Sequence, residues 1–317
     1  MPGRIWLLTD AGMDSHEVPG HPERPARREA VAAGVRAAAG AQLLEPAAVE
    51  ATDAQIAAVH DPSLIALLAE ASSRGGAWLD ADTYVSTGSW HAARLAAGAT
   101  VEAARAVMTG EAAVAFAVVR PPGHHASATR ATGFCLLNNI AIAVAALRAE
   151  GLARRIAIVD WDVHHGDGTQ AIFDADPDLC YASTHQWPLY PGSGLAAERG
   201  SGAAAGTKHN RPLDPGAGDP AFVRAWLDEL LPAIEAFEPE AILASAGYDA
   251  HRSDPLAHLE VTEDGFAAVA LAVGELAERL GLPGIALTLE GGYDLDALRG
   301  SAASTVRGLS AGLERGS

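Results

Sequence analysis

The sequence almost lacks lysine: Lys208 is the only one among its 317 residues. That excludes a GxxxxGK[ST] phosphate loop and confines any lysine Schiff base to one position, so nucleotide hydrolysis and pyridoxal chemistry are disfavoured. Cysteine is nearly as scarce. Cys135 and Cys180 are too few for a disulfide framework or a thiolate metal cage, and the composition fits a reducing compartment. No apolar run reaches the roughly 18 residues of a membrane span, and the short apolar start in residues 1–10 ends in a carboxylate. The expectation is a cytoplasmic protein, intact from Met1, with no membrane partner. Positive charge is the last shortage: 22 basic against 40 acidic residues give a net charge of −18. Such a chain repels phosphate backbones, which disfavours nucleic acid, and tolerates cationic partners.

What is present is apolar residues, 49% of the chain, and twelve histidines, several of them side by side or next to aspartates. Short runs rich in Val, Ile, Leu and Ala at 5–9, 113–119, 156–160, 179–183, 241–245 and 285–289 predict buried strands. Helical patterns occupy 139–150, 221–237, 262–280 and 294–309. Thr262 followed by two acids reads as a helix start, and Gly281 with Pro283 as its stop. Strands alternating with helices predict an α/β fold with a mainly parallel sheet covered on both faces. No repeat and no Pro/Ser linker is visible, so one domain over 1–310 is expected, with 311–317 fraying. The Gly-rich stretch 191–220 reads as a long surface loop.

Every polar cluster follows a strand. The runs lead into RPPGHH (120–125), DWDVHH (160–165), STH (183–185), GYD (247–249) and EGGY (290–293). Loops at the C-terminal edge of a parallel sheet converge on one crevice, so five loops are expected to build one site. In an extended backbone alternate side chains share a side, which places Asp160, Asp162 and His164 together. A cation held by two carboxylates and an imidazole keeps room for water. Asp249 and Asp254 are both candidates for the remaining ligand, and Zn²⁺, Fe²⁺ and Co²⁺ all accept such a set. Isolated loop histidines such as His251 and His258 read as structural. Concentrating this much polarity at a core strand's end is costly without a compensating cation or hydrogen bonds.

His124 and His125 follow a rigid Pro-Pro-Gly turn. Adjacent imidazoles should differ in pKa, since protonating one opposes protonating the other, and Asp160 and Asp167 are available to orient them. That is equipment for general acid/base catalysis. The glycines before Tyr293 are expected to let its hydroxyl reach the crevice.

HPERPAR (21–27), RPPGHHA (120–126), GFCLLNN (133–139), VDWDVHHGDGTQ (159–170), GYDAHRSDPL (247–256) and LEGGYD (289–294) together resemble the zinc-dependent histone deacetylase family, notably its class II-like bacterial members and acetylpolyamine amidohydrolases. The resemblance runs in order through nearly the whole chain. It implies an arginase-like three-layer α/β/α fold and zinc held by Asp162, His164 and Asp254, with Asp249 behind them. It also implies a catalytic pair His124 and His125 backed by Asp160 and Asp167, and Tyr293 as the transition-state tyrosine. Gly133, Phe134, Tyr190 and Leu256 would line the acyl-lysine tunnel, Tyr190 standing where phenylalanine is commoner, and Arg27 would lie beside an internal cavity. A structural K⁺ would use Asp160, Asp162, His164, Ser183 and Thr184, partly through carbonyls. Cys135 reads as a small buried residue. The activity implied is removal of an acetyl group from an N-acylated amine such as acetyl-lysine, acetylpolyamine or a small metabolite. An arginase-type ureohydrolase fits less well, because its bridging carboxylates are unmatched. A catalytically silent acyl-binding protein is disfavoured because no matched catalytic position is lost.

Overall fold

The computed structural model describes residues 3–314. Its strands are β1 (Ile5–Leu8), β2 (Leu43–Leu44), β3 (Ala77–Trp78), β4 (Tyr84–Val85), β5 (Val114–Ala117), β6 (Ile156–Asp160), β7 (Leu179–Gln186), β8 (Lys208–Leu213), β9 (Ala241–Ala246) and β10 (Ile285–Leu289). β3 and β4 form a small hairpin. The other eight make one sheet in the order β2-β1-β5-β10-β9-β6-β7-β8, with every neighbouring pair parallel. All six predicted strands are present.

Residues alternate between two cores, as the pleat requires. In β6, Ala157 and Val159 face one layer while Ile156 and Ile158 face the other. The first layer holds α1 (Ala26–Ala39) and the chain's C-terminal helices. The second holds α2 (Asp53–Ala57), α3 (Pro62–Ser73), α4 (Ser89–Met108) and α5 (Asn139–Ala149). A short α6 (Asp167–Phe173) follows β6. The arrangement is the arginase-like α/β/α sandwich.

Three expectations need correction. The helix expected over 221–237 is α7 (Asp219–Ala225) and α8 (Leu231–Phe237) joined by a wider π turn at Trp226–Leu230. Pro232 has no N–H to continue the ladder there. The 191–220 stretch is not all loop, because β8 forms the sheet edge within it. Its Pro212 is tolerated at an edge, and its polar sequence gives no apolar run to read. After α9 (Glu263–Arg279), α10 (Leu295–Glu314) continues past residue 311 instead of fraying. Gly312 lies against Leu271 and Gly274 of α9, too close for a Cβ, and Leu313 packs on the core. Residues 315–317 lie outside the described part.

Beneath the sheet's C-terminal edge, Glu23 is fully buried between two arginines. It accepts from Arg27 Nη1 at 2.8 Å and from Arg120 Nε and Nη2, each at 2.6 Å. Burial works against the charged carboxyl, but the arginines outweigh it and hold it at about 2, below the ordinary 4.5. The stability this contributes is complete above the ordinary value and is lost as pH falls from there toward the folded value. Glu23→Gln strands two buried guanidinium groups and is expected to cost about 3–5 kcal/mol. The readout is a lower urea midpoint at unchanged slope; an unmoved midpoint would remove the network from the account.

Candidate active site

At the end of β6, Trp161 and Val163 turn into the core while Asp162 and His164 turn into the crevice and Asp160 lies buried behind His124. Backbone donors fix the path: Asp162 N–H donates to Asp160 Oδ1 and His164 N–H to Asp162 Oδ1. The loop after β9 adds Asp249, whose Oδ1 accepts from Val163 N–H at 2.8 Å. Its Oδ2 then falls 3.2 Å from His164 Nδ1, the same distance at which Asp162 Oδ1 stands. Donors sharing one tetrahedral zinc at about 2.0–2.2 Å are roughly 3.3 Å apart, so these residue types and separations fit a divalent cation.

Asp249, expected behind the ligands, comes close to them: donor atoms of Asp162, His164 and Asp249 all lie within 4.8 Å of one another. The bond to Val163 N–H brings it there. Asp254 stands beside them, its Oδ1 accepting from Leu256 N–H at 2.9 Å and its Oδ2 from Tyr293 N–H at 2.8 Å. Burial, then the neighbouring Asp249, pushes the Asp254 carboxyl up to about 7, and burial and Asp162 raise Asp249 as well. Three desolvated carboxylates around one imidazole are short of positive charge.

The tandem histidines lie with ring centroids 4.1 Å apart. His124 Nδ1–H donates to Asp160 Oδ2 at 3.1 Å and His125 Nδ1–H to Asp167 Oδ1 at 2.7 Å, which leaves both Nε2 atoms for the crevice. Their environments differ as expected. Burial opposes charge on His124, but Asp162 and Asp160 override it and raise its pKa well above the ordinary value. Burial and the His124 charge lower His125 to about 4 against the pull of Asp167. The surroundings thus push His124 toward the cation and His125 toward the neutral form.

A tunnel of about 220 Å³ leads to this floor, lined by Asp82, Gly133, Phe134, Cys135, Tyr190, Leu256 and Tyr293 beside both histidines, Asp162 and His164. Phe134 has φ +68°, an uncommon strain for a bulky residue that turns its ring into the wall. Cys135 is buried, and burial raises its thiol well above the ordinary value, in keeping with a packing role. Burial likewise raises Tyr293 against the nearby Arg27 charge, so its hydroxyl stays protonated and able to donate. Arg27 does not line the tunnel. Its Nε and Nη2 donate to the carbonyls of Gly292 and Glu290, and the guanidinium lies 4.8 Å from the Tyr293 ring centroid. Those carbonyls and Glu23 occupy it, so it holds the turn that carries Tyr293. Ser183 pairs with Asp160 in the sheet register; its hydroxyl is engaged by His185, and that of Thr184 accepts from Trp226 Nε1.

Two features were not singled out from sequence. Glu290, fully buried, accepts from Gly123 and His124 N–H through Oε2, at 2.7 and 3.1 Å, and so fixes the histidine turn. Its position directly after a core strand was the available signal. The second is the reason for two glycines. Gly247 and Gly291 need no left-handed backbone; a Cβ at either would lie 2.0 Å from a carboxylate oxygen, of Asp162 and Asp249 respectively. Of the two glycines before Tyr293, only Gly292, at φ +115°, uses conformational freedom.

Residues 21–309 match the histone deacetylase domain family. A probable deacetylase of Archaeoglobus fulgidus is 40% identical over 284 residues, covering 87% of this chain and 78% of the relative. Polyamine deacetylase HDAC10 of Homo sapiens is 37% identical over 301 residues, covering 90% of this chain and 44% of that one. The crystal structure of the HDA15 HD domain matches with TM-score 0.92 at 36% identity, covering 100% of this chain and 90% of that one. The fold and the matched sequence define a deacetylase-type domain, and the chain belongs to the histone deacetylase family.

Gly291→Ala is expected to displace the Asp249 carboxylate while leaving the fold intact. A shift of about 1 Å in such a site can cost about 10²-fold in turnover, so activity should fall by that order with an unchanged melting curve. Wild-type turnover would show that the carboxylate yields without consequence.

Proposed function

We propose that the protein hydrolyses the amide of an N-acetylated amine such as acetyl-lysine, using zinc held by Asp162, His164 and Asp254. The observation that carries this reading is the histidine pair, each ring tethered through Nδ1 to its own carboxylate and lining one tunnel with Tyr293, with surroundings that push the two rings' pKa values in opposite directions. When bound, the cation supplies Lewis-acid polarisation of the acyl carbonyl and of a water. His125, neutral and held by Asp167, takes the proton of the attacking water and passes it to the departing amine nitrogen. His124 stays cationic between Asp160 and Asp162 and contributes positive charge. Tyr293 donates to the oxygen on which negative charge develops, a bond stronger in the transition state than in the ground state. Acetate and a free amine leave.

Fe²⁺ and Co²⁺ accept the same ligands. A structural K⁺ is part of the proposal, held by the carboxylates of Asp160 and Asp162 with carbonyls of His164, Ser183 and Thr184. The engaged hydroxyls of Ser183 and Thr184 favour their carbonyls as ligands. We read the chain as one catalytic domain, which agrees with an eight-stranded sheet drawing strands from residue 5 to residue 289 and with α10 packing on the core as far as Leu313. Two free, buried cysteines suit a cytoplasmic setting, and no helix among the described residues is long and apolar enough to cross a membrane.

The test pairs metal content with turnover. Asp162→Ala, His164→Ala and Asp254→Ala should lose both, Asp249→Ala should bind zinc about 10–100-fold more weakly, and Tyr293→Phe should keep zinc while kcat falls about 10²–10³-fold. Full zinc in Asp254→Ala with none in Asp249→Ala would give the third ligand to Asp249, and wild-type turnover by Tyr293→Phe would make that residue only a wall.

Selectivity rests on Leu256, 37% exposed at the mouth. An apolar side chain there packs on the aliphatic arm of acetyl-lysine and offers nothing to a second buried ammonium. Acetyl-lysine amides are therefore expected to show higher kcat/KM than N-acetylspermidine or N-acetylputrescine, with Leu256→Glu shifting the ratio toward the polyamines. A wild-type preference for acetylpolyamines, or an unmoved ratio in the variant, contradicts this role.

A further inference from the structure

Three loops meet at the tunnel mouth through hydrogen bonds with a forced direction. The Asp80 carboxylate accepts from Asp82 N–H at 3.1 Å and Thr83 N–H at 2.7 Å through Oδ1, and from the Thr132 hydroxyl at 2.8 Å through Oδ2. A carboxylate so surrounded only accepts, so the single proton of Thr132 is committed to it. Thr132 Oγ1 also stands 3.0 Å from the Tyr190 hydroxyl. With its own proton spent, Thr132 can only accept there, and the Tyr190 proton is spent in turn. The phenol oxygen is left with lone pairs alone.

That oxygen belongs to the tunnel. Tyr190 is 42% exposed, its ring stands 5.0 Å and nearly perpendicular to that of His125, and its hydroxyl lies 3.0 Å from where a Cβ on Gly133 would be. The hydroxyl makes no other hydrogen bond among the described residues. Asp82 lines the same mouth with a carboxylate, raised by burial and by the adjacent Asp80. The Tyr190 oxygen thus accepts a hydrogen bond at this mouth and offers none.

We propose that Tyr190 is a specificity-determining residue whose hydroxyl oxygen is held as an obligate hydrogen-bond acceptor by Thr132 and Asp80, selecting N-acyl amines that carry an N–H donor at the far end of the arm over those that end in a carboxylate. The assignment rests on the deacylase reading above and names its substrate class. Tyr190 touches the substrate; Thr132 and Asp80 are positioning residues. A phenol free to rotate would donate to a carboxylate as readily as it accepts from an ammonium. The relay removes the first option, because turning the proton outward breaks the bond to Thr132.

Two substrates of one five-carbon arm test this: N-acetylcadaverine, which ends in an ammonium, and acetamidohexanoate, which ends in a carboxylate. The quantity read is their ratio of kcat/KM. The wild type should favour the ammonium. Thr132→Val and Tyr190→Phe change no charge, so the long-range field of the acidic protein stays constant, and each should lower the ratio about tenfold, the size of one hydrogen bond to a charged group. Thr132→Ser retains the hydroxyl and should retain the ratio, which a purely structural role for Thr132 would not require. A ratio unmoved in both Thr132→Val and Tyr190→Phe, or a wild-type preference for the carboxylate, overturns the assignment while leaving the deacylase reading in place. Failure of the wild type to hydrolyse either substrate, or an acetyl-lysine amide, overturns both.

Discussion

The site depends on one constraint: five carboxylates, Asp160, Asp162, Asp249, Asp254 and Glu290, are taken out of water at the C-terminal edge of a parallel sheet. Desolvating that much negative charge is tolerable only where each oxygen finds a donor. The donors are largely main-chain N–H groups of neighbouring loops. Asp162 receives His164 and Gly291, Asp249 receives Val163, Asp254 receives Leu256 and Tyr293, and Glu290 receives Gly123 and His124. The acids that suit a cation therefore also fix where the loops run. Gly247 and Gly291 are glycine because carboxylate oxygens occupy the space a Cβ would take.

The same charge separates the two histidines. His124 sits against Asp160 and close to Asp162 and is driven toward the cation, while His125 is paired with the more exposed Asp167 and feels His124 as a like charge. Two identical side chains, adjacent in sequence, become a fixed positive charge and a base. Arg27 and Arg120 supply the opposite sign below the crevice, with Glu23 between them. Through its bonds to the Glu290 and Gly292 carbonyls, Arg27 ties that buried network to the turn that presents Tyr293.

Much of this was legible in the sequence where a short-range rule applied. The period of two along DWDVH placed Asp160, Asp162 and His164 on one side, and the buried strands stood out as aliphatic runs ending in polar clusters. The helices α1 and α4 were not read, because both are alanine-rich and give little contrast between faces. β8 was missed because an edge strand reading KHNRPL has no apolar pattern. The approach of Asp249 to His164 follows from a bond to Val163, 86 residues away, and the Asp80–Thr132–Tyr190 relay joins three distant loops. Contacts of that span leave no local trace. The carbonyls of Glu290 and Gly292 that fill the Arg27 fork are partners that no side-chain pattern reveals.

The central claim is that these carboxylates and imidazoles exist to hold a divalent cation over which an acyl amide is cleaved. Its most direct test measures bound metal and hydrolysis of a fluorogenic acetyl-lysine amide on the same protein, before and after chelation and after returning zinc. The account predicts one zinc per chain, loss of turnover on its removal with the fold retained, and recovery on its return. Turnover that persists in metal-free protein, or a chain that binds zinc stoichiometrically without cleaving any acyl amide, would contradict it.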